Sequence, residues 1–193
     1  LILYYELINV NINWGVITME GKQRNILFSR EEISEAVAKV GKEISKDYEG
    51  KQVYVLSLLR GSFIFAADLV REMTVPTVVG FMTTSSYGHG EESTGVCKIV
   101  QDVPDNIEGM DVLVVDDIVD SGITMKFVVD HVKSLGAKSV KCCTLLDKPE
   151  RRKVDITPDY CCYTIPDLFV VGYGLNYGDL YRNIPYIFNW ESK

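Results

Sequence analysis

The chain has 193 residues, 47% of them hydrophobic, and a formal charge of -7 from 20 Lys and Arg against 27 Asp and Glu. That length and apolar content build one sizeable core with no clear second domain, and the acidic balance argues against a nucleic-acid-binding surface. No apolar run approaches the roughly 20 residues of a membrane-spanning helix. The five cysteines, four of them in the vicinal pairs Cys142-Cys143 and Cys161-Cys162, read as reduced thiols of a cytoplasmic protein rather than as disulfides or a zinc site.

Residues 1–18 are rich in apolar and aromatic side chains but are interrupted by Glu6 and several Asn. With no basic start they make a poor secretory signal. They are expected to be an extension outside the fold, with a single domain over residues 19–193 opening at Met19. Ser29 followed by Glu32 spells a capping box, and Ile33, Ala36, Val37, Val40 and Ile44 form the apolar stripe of a helix ended by Gly50. Val53 to Leu59 reads as a buried strand. The turn Arg60-Gly61-Ser62 leads into a helix through Ile64, Phe65, Leu69 and Val70, which Pro76 stops. Thr77 to Met82 reads as another strand. Thr83 to Asp102 is long, polar and Gly-containing, a candidate mobile lid.

The run Val112-Leu113-Val114-Val115-Asp116-Asp117-Ile118-Val119-Asp120-Ser121-Gly122-Ile123-Thr124 decides the reading. A short apolar strand ends in two adjacent carboxylates, and Asp120 with small and hydroxyl residues follows. Helical periodicity then begins, with Met125, Val128, Val129, Val132 and Leu135 on one face and Gly136 as the stop. Backbone amides from Asp120 to Thr124 would face a loop at the positive end of the helix dipole, which favours a phosphate. The neighbouring carboxylates suit sugar hydroxyls or a hard cation. A phosphorylated sugar held with a metal fits both. Downstream, Val140 to Leu146 and Leu168 to Tyr173 read as the remaining strands. Strands alternating with helices imply parallel βαβ units, an α/β fold with its site at the carboxyl ends of the strands.

The whole run from Val112 to Thr124 resembles, in type and order, the phosphoribosyl-pyrophosphate (PRPP) loop of the type I phosphoribosyltransferases. One small departure is Asp116, where that family more often has Glu. The resemblance continues from about Met19 to Trp190 and is closest to the hypoxanthine-guanine members of bacterial type. It implies a parallel twisted sheet flanked by helices, with a small hood formed by terminal segments.

The resemblance also assigns roles, each beside a plainer reading. Asp116 and Asp117, otherwise a solvated loop pair, would hold the ribose hydroxyls with Mg2+ alongside, and Asp120, Ser121, Gly122, Ile123 and Thr124 would cradle the ribose phosphate. Asp120, which could simply cap the helix, would act as general base near purine N7. Arg60 and Gly61 would meet the leaving diphosphate, with Leu59-Arg60 the place for the non-proline cis peptide common in the family. Ser86 and Tyr87, otherwise part of a flexible loop, would close over the diphosphate, and Arg182 would contact it. His89 receives no role. Lys148, where the bare expectation is a surface lysine, would donate to purine O6 and so select 6-oxopurines over adenine. Phe169, core by pattern alone, would stack on the purine, and Val170 and Asn176 would read the base edge.

Asn176 is the larger departure: the family usually has Asp there as a ligand to a second Mg2+. Asn keeps one carbonyl oxygen and loses the charge, so metal binding there should be weak. The implied reaction is Mg2+-dependent transfer of phosphoribosyl from PRPP to hypoxanthine or guanine by a homodimer or homotetramer that binds neither nucleic acid nor membrane. Rival readings are a PRPP- or nucleotide-sensing regulator on the same fold, a phospho-acceptor signalling domain, and a sister enzyme acting on xanthine, adenine or orotate.

Overall fold

The computed structural model describes residues 22–86 and 97–192. The expected extension over residues 1–18, Tyr87 and His89 lie outside the described residues. Nine strands and three α-helices run in the order β1 (Lys22–Phe28), α1 (Arg30–Asp47), β2 (Val53–Leu59), α2 (Phe63–Glu72), β3 (Thr77–Ser86), β4 (Cys97–Gln101), β5 (Asp111–Val119), α3 (Ile123–Ser134), β6 (Ser139–Asp147), β7 (Tyr160–Thr164), β8 (Val170–Val171) and β9 (Ile187–Ser192) among the described residues, with a short 3-10 turn at Pro149–Arg151 after β6.

Six strands form the main sheet in the order β4-β3-β2-β5-β6-β7, parallel except for β4 at one edge. Both faces are covered, which is why its central strands are continuous apolar runs. Alternation still sorts their side chains. Val53, Val55, Leu113 and Val115 pack with α1 and α2, whereas Tyr54, Leu56, Val112 and Val114 pack with α3.

The capping box forms as spelled: Glu32 N donates to Ser29 Oγ at 3.2 Å and Ser29 N to the Glu32 carboxylate at 2.8 Å. These bonds hold the Glu32 carboxyl below its usual range. Where α1 meets β6 and β7, Lys141 and Tyr160 both donate to the Asp47 carboxylate, at 2.8 and 2.7 Å.

Three expectations are corrected. Thr83 to Asp102 is not irregular throughout, because Thr83–Ser86 extend β3 and pair antiparallel with Cys97–Gln101. The two strands make up that edge of the main sheet. β5 does not stop at the carboxylates but continues to Val119, pairing with β6 as far as Asp147. Leu168 to Tyr173 is not a strand of the parallel sheet. Only Val170–Val171 is extended, and it pairs with β9 in a separate antiparallel sheet, β1-β9-β8. Positive φ at Gly172, Tyr173 and Gly174 turns the chain out of strand conformation there.

This second sheet is the hood, built from both ends of the described chain, with Arg24 opposite Trp190. One face carries a buried aromatic cluster, and the Arg24 guanidinium lies 4.9 Å from the Phe188 ring centre and 5.6 Å from that of Tyr181.

Candidate active site

The site gathers where β2, β5 and β6 end. Asp116 and Asp117 are half-buried on the last turns of β5, and Asp117 N donates to Asp116 Oδ1 at 3.0 Å. Burial pushes both carboxyls up, and for Asp116 the adjoining Asp117 charge adds to it. The Arg182 charge opposes the rise at Asp117. Two adjacent carboxylates short of positive charge suit a divalent cation. Among the described residues no group of three or more metal-ligating side chains converges. A hard divalent cation can bind through one or two carboxylates and take its other ligands from water and substrate phosphates.

Residues 116–122 with Thr124 and Met125 line a small concavity of about 240 Å3. Gly122, at φ 80°, is the N-cap of α3 and supplies no side-chain cap. Asp120 therefore does not cap the helix; Ile123 N donates to Ser121 Oγ at 3.4 Å, and the other first-turn amides can meet an anion. A side chain at Gly122 would press on Arg152 and Ile156.

Lys148 follows β6 directly, and its backbone N donates to Val119 O at 3.0 Å, which seats it beside Asp120. It is not a surface lysine: the residue is 5% exposed, with its ammonium 3.9 Å from Asp120 Oδ2 and 3.7 Å from Asp167 Oδ1. Arg151 Nε donates to Asp120 Oδ1 at 3.0 Å. Arg152 donates to the carbonyls of Val119 and Asp120, at 3.1 and 2.8 Å, and pairs closely with Asp147. Phe169 is not core. The residue is 56% exposed and its ring meets Tyr177 edge-on at 5.8 Å, while neighbouring Val170 is buried in the main core.

The peptide Leu59-Arg60 is cis. Leu59, Arg60, Phe63, Phe81, Asp179 and Arg182 line a cavity of about 620 Å3. Arg182 Nη1 donates to Gly174 O at 2.6 Å, and Arg60 lies 3.9 Å from the Asp179 carboxylate. A Cβ on Gly174 would strike Gly61 O, so the segments bearing Arg60 and Arg182 can meet only without one. Ser86 ends β3 opposite Cys97. The Asn176 amide donates to Gly178 O, closing its own loop.

Two clustered cations, an amide-lined helix start, an acidic pair, and a buried lysine beside an exposed aromatic ring thus share one end of the sheet. The phosphoribosyl transferase domain matches residues 24–178. The chain belongs to this family. It is 48% identical over 169 residues to a hypoxanthine-guanine phosphoribosyltransferase of Streptococcus pneumoniae, across 88% of this chain and 94% of that protein. A hypoxanthine-guanine phosphoribosyltransferase structure from Bacillus anthracis superposes with a TM-score of 0.81 at 42% identity, covering 88% of this chain and 99% of that one. A Staphylococcus aureus hypoxanthine phosphoribosyltransferase gives a TM-score of 0.83 at 41% identity, over 86% and 91% of the two chains.

Sequence reasoning gave no role to Asp147, Arg151, Arg152, Asp167 or Asp179, all of which sit in this constellation. Residues 150–153 are four consecutive charges that belong to no motif. Their one visible signal is position, directly after Lys148 at the end of a central strand.

Proposed function

We propose that the protein transfers the 5-phosphoribosyl group of PRPP to hypoxanthine or guanine, giving IMP or GMP and diphosphate, in purine salvage. The observation that carries this reading is the placement of a buried ammonium, Lys148, 3.9 Å from the Asp120 carboxylate at the mouth of the helix-start concavity. A donor and a base side by side suit a purine with an acceptor at O6 and a proton to lose at N7.

Asp116 and Asp117 bind the ribose hydroxyls, while the Asp120–Thr124 amides with the Ser121 and Thr124 hydroxyls receive the 5′-phosphate. Arg60, the Gly61 amide and Arg182 bind the diphosphate, and Ser86 and Tyr87 close over it. Mg2+, held by Asp116 and Asp117 with Asn176 a weak further ligand, would supply positive charge to the leaving diphosphate. Phe169 stacks on the base, Lys148 donates to O6, and Val170 and Asn176 present backbone and amide groups to the purine edge. The C1–oxygen bond to diphosphate breaks as C1–N9 forms, and the displaced purine proton passes to Asp120. Closure over the site keeps water from the oxocarbenium-like ribosyl centre. Catalysis rests on positioning and charge stabilisation, with proton transfer contributing roughly 10²–10⁴-fold.

Exposed Phe63, Val79 and Phe81 beside the diphosphate cavity support assembly as a homodimer or homotetramer. Five free thiols support a reducing, cytoplasmic setting. Initial rates with PRPP and Mg2+ against hypoxanthine, guanine, xanthine and adenine test the reading. Turnover of the first two with adenine inert is expected; no turnover of any base at high Mg2+ overturns it.

A further inference from the structure

Two carboxylates and two cations close a ring at the purine end of the site, and Arg151 and Asp167 have no role in the mechanism above. Arg151 spans the ring by hydrogen bonds: its Nε donates to Asp120 Oδ1 at 3.0 Å and its Nη1 to Asp167 Oδ2 at 3.1 Å. Lys148 faces the remaining oxygen of each carboxylate at 3.9 and 3.7 Å, ion-pair distances beyond hydrogen-bond reach. Among the described residues the Lys148 ammonium makes no hydrogen bond, although the residue is 5% exposed. A buried cation with unspent donors is prepared for an acceptor that arrives with a ligand.

We propose that Arg151 and Asp167 are positioning residues for the base site: the Arg151 fork holds both carboxylates back from Lys148 and so keeps its donors free for the purine oxygen. This inference rests on the reading of Asp120 and Lys148 given above. The planar guanidinium suits the task, because two of its nitrogens reach two carboxylates in one fixed geometry, which an ammonium cannot do. Arg152 already fixes the Asp120 backbone, so its carboxylate is the part left to steer. Without Arg151, Asp120 and Asp167 would each need to move only about 1 Å to hydrogen-bond the ammonium, and the base would have to break those bonds to bind. Were Arg151 a bystander, an exposed ion pair of this kind would contribute almost nothing.

The experiment places Arg151→Met and Arg151→Lys in the wild-type chain and in a Lys148→Met background. It measures KM for hypoxanthine, guanine and PRPP, the dissociation constant of IMP by calorimetry, and the melting temperature. Arg151→Met is expected to raise the KM for both bases and the IMP dissociation constant on the order of tenfold, the scale of one hydrogen bond to a charged group. The PRPP KM and the melting temperature should stay put, Arg151→Lys should recover only part of the loss, and the effect should vanish when residue 148 is already Met. Three results would overturn the positioning role alone: an unchanged base KM, an equal increment in both backgrounds, or a PRPP KM that rises in step with a falling melting temperature. A wild-type enzyme that turns over neither base would overturn this role together with the reading beneath it.

Discussion

The Asp117 carboxylate lies against the backbone of Gly61 so closely that a Cβ on Gly61 would overlap it. The contact joins the turn after β2 to the acidic end of β5, and so ties the diphosphate side of the site to the ribose side. Gly61→Ala would push the carboxylate aside. Overpacking of this kind typically costs about 1–3 kcal/mol. A displaced metal- and ribose-binding group should cost activity more than stability. The expected result is a PRPP KM raised at least tenfold, on the order of 1.4 kcal/mol, with a melting temperature lowered by only a few degrees. Steady-state rates and a thermal melt on one preparation check both.

Asp120→Asn keeps the size and loses the base. The variant is expected to lower kcat by roughly 10²–10⁴-fold while PRPP still binds, because the Asp120–Thr124 amides are unaltered. Equilibrium PRPP binding measured beside kcat separates the two effects, and an unchanged kcat would remove Asp120 from the proton transfer.

How much of this was legible in the sequence depended on how local the signal was. The run from Val112 to Thr124 could be read because strand, loop and helix follow one another without a break, and each carries its own period. Ser29 and Glu32 were legible for the same reason, since the capping box is complete within four residues. The hood was legible only through the family resemblance, not from the periodicity of its own strands. Arg24 faces Trp190 across nearly the whole chain, and short strands of mixed polarity look like loops until their partner is known. Leu168 to Tyr173 misled because an apolar run does not show that Gly172 and Gly174 take positive φ within and just beyond it. Lys148 looked like any surface lysine by type. Only the fold shows that its backbone bond to Val119 draws it under the site.

At the opposite end of β5, Asp111 offers a test of stability free of the chemistry. Its buried carboxylate accepts from Ser139 Oγ at 2.5 Å and Lys138 Nζ at 3.2 Å. The Ser139 hydroxyl first, and then the Lys138 ammonium, hold its pKa below the usual carboxylate range against the effect of burial. A carboxyl with a depressed folded-state pKa stabilises the fold above its unfolded value, about 3.9, and loses that contribution as pH falls through the lower folded value. The wild type should therefore exceed Asp111→Asn by about 1–2 kcal/mol at neutral pH. The gap should close only below about pH 4. Urea unfolding of both proteins from pH 7 to pH 3 reads the difference, and a gap independent of pH would exclude the carboxylate as its source.

The family resemblance implies an acid at the position of Asn176, and in this chain the Asn176 amide donates to Gly178 O. Asn176→Asp removes that donor and adds a negative charge on the loop that also bears Asp179 and Arg182. An exposed charge at this position is worth about 1 kcal/mol toward a cation, or roughly three- to tenfold in affinity. The Mg2+ concentration for half-maximal rate should fall by that factor, and the dependence should weaken as ionic strength rises. Tighter Mn2+ binding in the presence of diphosphate, followed by electron paramagnetic resonance, should accompany it without reference to turnover. If Mg2+ and Mn2+ titrations both superpose on those of the parent chain, Asn176 is no metal ligand, and Asp116 and Asp117 carry the cation with the substrate's own oxygens.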